Sequence, residues 1–132
     1  MVLVDTSVWI DFVRGRSTQA VGRLRVALDQ GIVACLTSLI YQEILQGAES
    51  EKAFRDFCSF FSGQQFLHPR DPIGSHEAAA RLYFDCRRRG LTVRSANDCL
   101  VAQVAIEHEV ALLHDDRDFQ SIGKAAPRLK FA

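Results

Sequence analysis

The 132-residue chain carries no excess charge, because 16 basic residues balance 16 acidic ones. A protein-wide positive field that gathers nucleic acid unaided is therefore excluded. Lysine is scarce, with 3 Lys against 13 Arg. That skew favours bidentate contacts to phosphate or carboxylate, and so an RNA or an acidic protein partner. No apolar run approaches the ~20 residues of a membrane span. Met1 leads straight into Val-Leu-Val, without a basic n-region, an apolar h-region or a cleavage site. Cys35, Cys58, Cys86 and Cys99 form no C-x-x-C pair, and His68, His76, His108 and His114 show no H-x-x-x-H spacing. A disulfide or zinc framework is thus not indicated, and reduced thiols in a chain lacking an export signal are expected in the cytoplasm. Repeats, low-complexity tracts and linkers are also missing, so residues 1–132 are expected to form one domain.

What is present alternates between short apolar runs and amphipathic segments. Strands are expected over Val2–Asp5, Ile32–Leu36, Gln65–His68, Val110–Leu113 and Leu129–Phe131. Helices are expected over Thr6–Arg14, Gln19–Gln30, Ser38–Ala48, Glu51–Ser62, Pro72–Arg89, Ser95–Glu109 and Phe119–Ala125. Gly15, Gly31 and Gly90 stand at expected helix stops. Alternation of this kind predicts an α/β fold with a central, mostly parallel sheet and helices on both faces.

In such a sheet, strand C-termini and helix N-termini share one edge, where ligands bind. Four acids fall there: Asp5 after the first strand, Glu43 and Asp98 in early helical turns, and Asp116 after the run Val110–Leu113. Carboxylates gathered this way raise one another's pKa unless a positive charge lies between them. A hard divalent cation with oxygen ligands answers that need.

Each acid also has a plainer reading. Asp5 is a good N-cap, although Thr6 and Ser7 serve equally well. Glu43 lies beside the apolar stripe of Leu39 and Ile40, where an unpaired charge costs several kcal/mol; a surface Glu is the alternative. Ser95-Ala96-Asn97-Asp98 fits a capping-box variant. The run His114-Asp115-Asp116-Arg117-Asp118-Phe119 is either a solvated turn or a functional loop, with Asp116 preferred to Asp118 as ligand. Arg87-Arg88-Arg89 reads as a solvated helix end, with a phosphate patch as the minor alternative.

Four segments together resemble a PIN domain: Val-Leu-Val-Asp-Thr-Ser-Val-Trp at the start, the Glu43 helix, Ser95–Ala102, and Leu112–Phe119. More narrowly, the chain resembles the VapC ribonuclease toxins of bacterial type II toxin–antitoxin modules. The resemblance implies a PIN-like three-layer sandwich with metal-binding acids at Asp5, Glu43, Asp98 and Asp116, and Asp118 as an extra ligand. Thr6, Ser7 and Asn97 are the expected supporting residues, with Thr6 or Ser7 matching a hydroxyl beside the first acid. Arg117 or another arginine is expected to steady the substrate phosphate. The implied activity is an endoribonuclease using Mg²⁺, with Mn²⁺ as substitute. A homodimer is expected, inhibited by a small antitoxin. A solitary PIN nuclease in RNA processing, or a non-catalytic α/β binding module, is the alternative. A haloacid-dehalogenase-like site is disfavoured because Asp5-Thr6-Ser7 lacks the second acid of D-x-D.

Overall fold

The computed structural model describes Met1–Ala132. Four parallel strands, β1 (Val2–Val4), β2 (Ala34–Leu36), β3 (Gln65–Phe66) and β4 (Ala111–Leu113), lie in the order β3-β2-β1-β4. Seven helices connect and cover them: α1 (Thr6–Val13), α2 (Gln19–Asp29), α3 (Ser38–Gln46), α4 (Glu51–Ser62), α5 (Gly74–Arg88), α6 (Ala96–Glu107) and α7 (Arg117–Ala125). Every residue of β1 and β2 is buried, as strands covered on both faces require.

Strand order dictates where the helices go. From β1 the chain steps to β2 and then to β3 in one direction, and only afterwards crosses back to β4. Parallel crossovers are right-handed, so the reversal sends α1–α4 to one face and α5–α6 to the other. It also places β1 and β4 side by side at the switch point, where a crevice opens beyond their C-terminal ends. Asp5 follows β1 directly, and its N–H donates to the Leu113 carbonyl at 3.0 Å, joining the ends of the two strands.

The core is continuous. Leu3, Val4, Leu36 and Leu112 of the sheet pack with Trp9, Leu24, Ile40, Ile44 and Phe61 on the α1–α4 side, and with Ala102, Phe119 and Ile122 of α6 and α7. Trp9 meets Phe61 edge-to-face at 5.2 Å, and Phe61 meets Phe60 at 4.9 Å. The phenylalanine-rich helix α4 is therefore packed mainly through its C-terminal end, while Phe54 remains exposed.

Most expected elements are present with trimmed ends, and four points differ. The last expected strand, Leu129–Phe131, is reduced to a single parallel bridge from Phe131 to Leu112, because only two backbone bonds tie it to β4. The helix expected from Phe119 starts at Arg117, since the Asp116 carboxylate caps it by accepting the Asp118 N–H at 2.9 Å. The helix expected from Pro72 starts at Gly74, after a turn in which the Asp71 side chain accepts the Ile73 N–H. Finally, Ser95 and Asp98 do not form a capping box: Ser95 makes no side-chain cap bond, and its N–H donates to Asp118 instead. Gly31 and Gly90 do end their helices with positive φ, which a side chain would strain.

Candidate metal centre

Four elements bring acids to the crevice. Asp5 is buried at the N-terminus of α1, in the N-cap position, yet its carboxylate accepts no capping bond. Its only side-chain partner is Ser7, whose Oγ donates to Oδ2 at 3.5 Å. Glu43, one turn into α3, is half-buried and accepts a 2.8 Å hydrogen bond from Thr6 Oγ1. Of the two hydroxyls, Ser7 reaches Asp5 and Thr6 reaches Glu43. Successive residues of α1 point about 100° apart, so only one of the two hydroxyls faces α3.

Asp98, Asp116 and Asp118 come closest. Each offers an oxygen such that all three lie within 4.8 Å of one another. Asp98 stands in the first turn of α6, half-buried, and no side-chain partner holds its carboxylate. Asp118 is buried and fully engaged: Oδ2 accepts the N–H groups of Arg94 and Ser95 at 2.9 and 3.2 Å, and Oδ1 accepts Arg94 Nε at 3.2 Å. Asp116 receives Arg94 Nη2 at 2.9 Å beside its capping bond. Both candidate acids of the late loop are therefore in the cluster, with different duties. Asp116 keeps one oxygen free, whereas Asp118 also fastens the Arg94–Ser95 backbone.

The electrostatics shows that the five acids share one field. Burial, with the neighbouring charges of Glu43 and Asp116, pushes the Asp5 carboxyl up to about 6, against an opposing pull from the Thr6 and Ser7 N–H groups. Burial, followed by the charges of Asp5, Asp116, Asp118 and Glu43, pushes Asp98 up to about 7. Asp98 thus feels all four other acids and gains no compensating donor. Asp5 and Glu43 flank the tighter Asp98–Asp116–Asp118 group and contribute to its field.

The remaining expected residues lie outside this cluster. Asn97 is exposed and makes no hydrogen bond, so its expected supporting role has no contact behind it. Arg117 is exposed and ion-paired to none of the acids. It does line two grooves bordering the cluster. One, of about 550 Å³, includes Arg23, His114, Asp115 and Asp116; the other, of about 310 Å³, includes Thr92, Arg94, Asp118 and Ser121. The histidine nearest the acids, His114, accepts the Asp116 N–H on Nδ1 and packs against Phe119, which makes it a strand-end support. In the Arg87–Arg89 run, two arginines stack over Tyr83 and Phe84 and the third donates to the Lys124 carbonyl, in keeping with a helix end.

Sequence reasoning missed Arg94. Its signal was faint: a charged residue between buried Val93 and the N-cap Ser95, in a segment without periodicity. It is nevertheless the one cation ion-paired to any of the five acids.

An oxygen-only donor set without histidine or thiolate suits a hard cation such as Mg²⁺ or Mn²⁺. The raised carboxyls of Asp5 and Asp98 fit the same view, since they mark negative charge that the protein alone leaves uncompensated.

Comparison with known proteins agrees in family and in fold. The PIN domain family model matches residues 2–125. The chain is 36% identical over 125 residues to Ribonuclease VapC11 of Mycobacterium tuberculosis, spanning 94% of this chain and 92% of that protein. It is similar in structure to VapBC-1 from nontypeable Haemophilus influenzae, with a TM-score of 0.74 at 20% identity over 100% of this chain and 97% of that one. A toxin-antitoxin complex from Klebsiella pneumoniae gives a TM-score of 0.70 at 14% identity, over 98% of this chain and 95% of that one. At those identities the structural likeness speaks for the fold.

Proposed function

The chain belongs to the PIN-domain family, and from that premise we propose that it is a metal-dependent endoribonuclease acting as the toxin of a type II toxin–antitoxin module. The observation that carries the reading is the approach of Asp98, Asp116 and Asp118 to within 4.8 Å of one another, with Asp5 and Glu43 near enough for their charges to act on Asp98. The 36% identity to a named VapC ribonuclease supports RNA as the substrate class. The likeness to toxin–antitoxin structures supports an antitoxin as partner, and a homodimer of this chain is part of the same proposal.

Asp5, Glu43, Asp98 and Asp116 are the proposed metal-holding acids, with Asp118 as the auxiliary one. A divalent cation bound there would acidify water and offset charge on the phosphate, as divalent ions do in phosphodiester hydrolysis. The chain's own contribution is order and exclusion. Thr6 fixes Glu43, Ser7 steadies Asp5, and the Arg94 and Ser95 N–H groups lock Asp118. Without a cation the five acids repel a polyanion, so apo protein is expected to bind RNA weakly. Asn97 and Arg117 are proposed only as outer contacts, Arg117 by virtue of the two polar grooves it lines.

The test is cleavage of structured RNA by purified protein with Mg²⁺ or Mn²⁺, against an EDTA control and the D98N variant. Cleavage that needs the ion and is lost in D98N supports the proposal. Equal cleavage in EDTA, with products ending in 2′,3′-cyclic phosphate, overturns it in favour of attack by the RNA's own 2′-hydroxyl.

A further inference from the structure

Asp118 is held in two independent ways. Its Oδ2 accepts two main-chain N–H groups, from Arg94 at 2.9 Å and from Ser95 at 3.2 Å. These bonds survive any substitution at position 94 except proline. The Arg94 guanidinium makes a different pair of contacts: Nε reaches Asp118 Oδ1 at 3.2 Å and Nη2 reaches Asp116 Oδ1 at 2.9 Å. It therefore covers an oxygen on two of the three acids that approach within 4.8 Å. Its side chain stays 60% exposed, and Nη1 makes no hydrogen bond. Beyond it lies the groove of about 310 Å³ lined by Thr92, Arg94, Arg117, Asp118 and Ser121, with no apolar residue in the lining.

A brace looks otherwise. An arginine whose task was to position Asp118 would duplicate what two main-chain N–H groups already do. An exposed guanidinium resting on carboxylate oxygens is held weakly, because water screens the pair and ordering the long side chain costs entropy. A divalent cation on the same oxygens would carry twice the charge and compete with it. Arginine also presents parallel N–H groups in a planar fork that matches two phosphate oxygens. The groove next to Arg94 offers a second arginine and two hydroxyls, a lining suited to a sugar–phosphate backbone.

We propose that Arg94 is a substrate-contacting residue of this site with two alternative partners. In the metal-free protein its guanidinium serves as the built-in counter-ion of Asp116 and Asp118. With the cation in place it turns to a phosphodiester of RNA lying in the Thr92–Arg117–Ser121 groove. The proposal rests on the metal-nuclease reading above and adds two consequences to it. Arg94 competes with the cation for the acids, and it contributes to RNA binding rather than to the hydrolytic step.

The experiment compares wild type, R94Q, R94K and D98N by Mn²⁺ titration, using the electron paramagnetic resonance signal of free Mn²⁺, and by steady-state cleavage of one RNA. R94Q keeps the main-chain donors to Asp118 and retains a side-chain donor, and circular dichroism serves to check that each variant is folded. R94Q is expected to bind Mn²⁺ about fivefold more tightly than wild type, on the scale of losing an exposed ion pair. Its KM for RNA is expected to rise about tenfold, as for loss of a charge-assisted contact, with kcat within about twofold. R94K should fall between in both measurements, since an ammonium keeps the charge but loses the fork. Unchanged or weaker Mn²⁺ binding in R94Q, or a fall in kcat at constant KM, overturns the proposal and leaves Arg94 a brace. D98N separates the two levels. If D98N weakens Mn²⁺ binding while R94Q leaves it unchanged, the metal site stands and only the role of Arg94 falls. If wild type binds no Mn²⁺, the metal-site reading falls and takes this inference with it.

Discussion

Asp5 and Asp98 are harder to ionise in the folded chain than in water, and the sign of that shift governs stability. Each carboxyl is raised, to about 6 and about 7, above an unfolded value near ~3.9. Between those limits the folded protein binds more protons than the unfolded one, so stability falls as pH rises. The loss begins near pH ~4 and is complete a little above the folded values. For buried Asp5 the shift corresponds to roughly 2–3 kcal/mol; Asp98 is half exposed, and solvent screening reduces its share. Thermal melts in EDTA are expected to show the melting temperature declining from pH 5 to pH 8, with D98N declining less than wild type. Parallel curves would mean that the Asp98 carboxyl is not raised. At pH 8 the D98N melting temperature should equal or exceed that of wild type, because the change removes charge and keeps shape, while RNA cleavage collapses. A large drop in melting temperature would instead assign Asp98 a structural task. Thr6 offers a second residue-scale check. Thr6→Val removes the hydroxyl that holds Glu43 at a stability cost of about 1 kcal/mol; cleavage should fall about tenfold, and Thr6→Ser should restore it. Activity untouched by Thr6→Val would show that Glu43 needs no brace.

Helix termini do most of the positioning at the next scale. Glu43 reaches the crevice because α3 starts at the end of β2, where buried Thr37 caps it by accepting the Ile40 N–H at 3.0 Å. Losing that cap costs about 1 kcal/mol in a typical helix, and burial denies the freed N–H a water molecule. Thr37→Ala should therefore lower chemical-denaturation stability by about 1–2 kcal/mol, with Thr37→Ser close to wild type. A neutral Thr37→Ala would mean that α3 is held by Ile40 and Ile44 packing alone. The caps also explain which boundaries were legible. Gly31 and Gly90 stop helices wherever the rest of the chain lies, so those ends are readable from local sequence. The start of α7 was not, because Asp116 caps it while facing Asp98 and Arg94, and a run of three acids in four residues does not say which one does so. The last strand failed for a similar reason. Leu129–Phe131 has a strand's composition, but β4 offers it only one residue of pairing.

Across the whole molecule, the proposed metal site is one that an inserted basic side chain would also fit. If the antitoxin inhibits by placing a basic side chain among these carboxylates, raising Mg²⁺ should weaken inhibition, and cleavage assays at fixed antitoxin measure this directly. Inhibition indifferent to Mg²⁺ would indicate a partner that blocks RNA access elsewhere. Cleavage should also rise from acidic to mildly alkaline pH as Asp5 and Asp98 give up the protons that compete with the ion. Mn²⁺ should replace Mg²⁺, and Ca²⁺ should bind but support little cleavage because of its longer, looser coordination. Ca²⁺ activity equal to that of Mg²⁺ would argue against strict geometric control by these acids.

The sequence by itself determined the alternation of strands and helices, and with it a parallel sheet and the edge at which Asp5, Glu43, Asp98 and Asp116 were expected. These are consequences of periodicity and of right-handed crossovers, which act over a few residues or one connection at a time. Only the tertiary structure decided the strand order β3-β2-β1-β4, which opens the crevice between β1 and β4. It alone paired Thr6 with Glu43 across 37 residues and Arg94 with Asp116 and Asp118 across 22 and 24. Such partners are set by how whole elements pack, and no local pattern encodes them. That is why the candidate acids could be named from the sequence and Arg94 beside them could not.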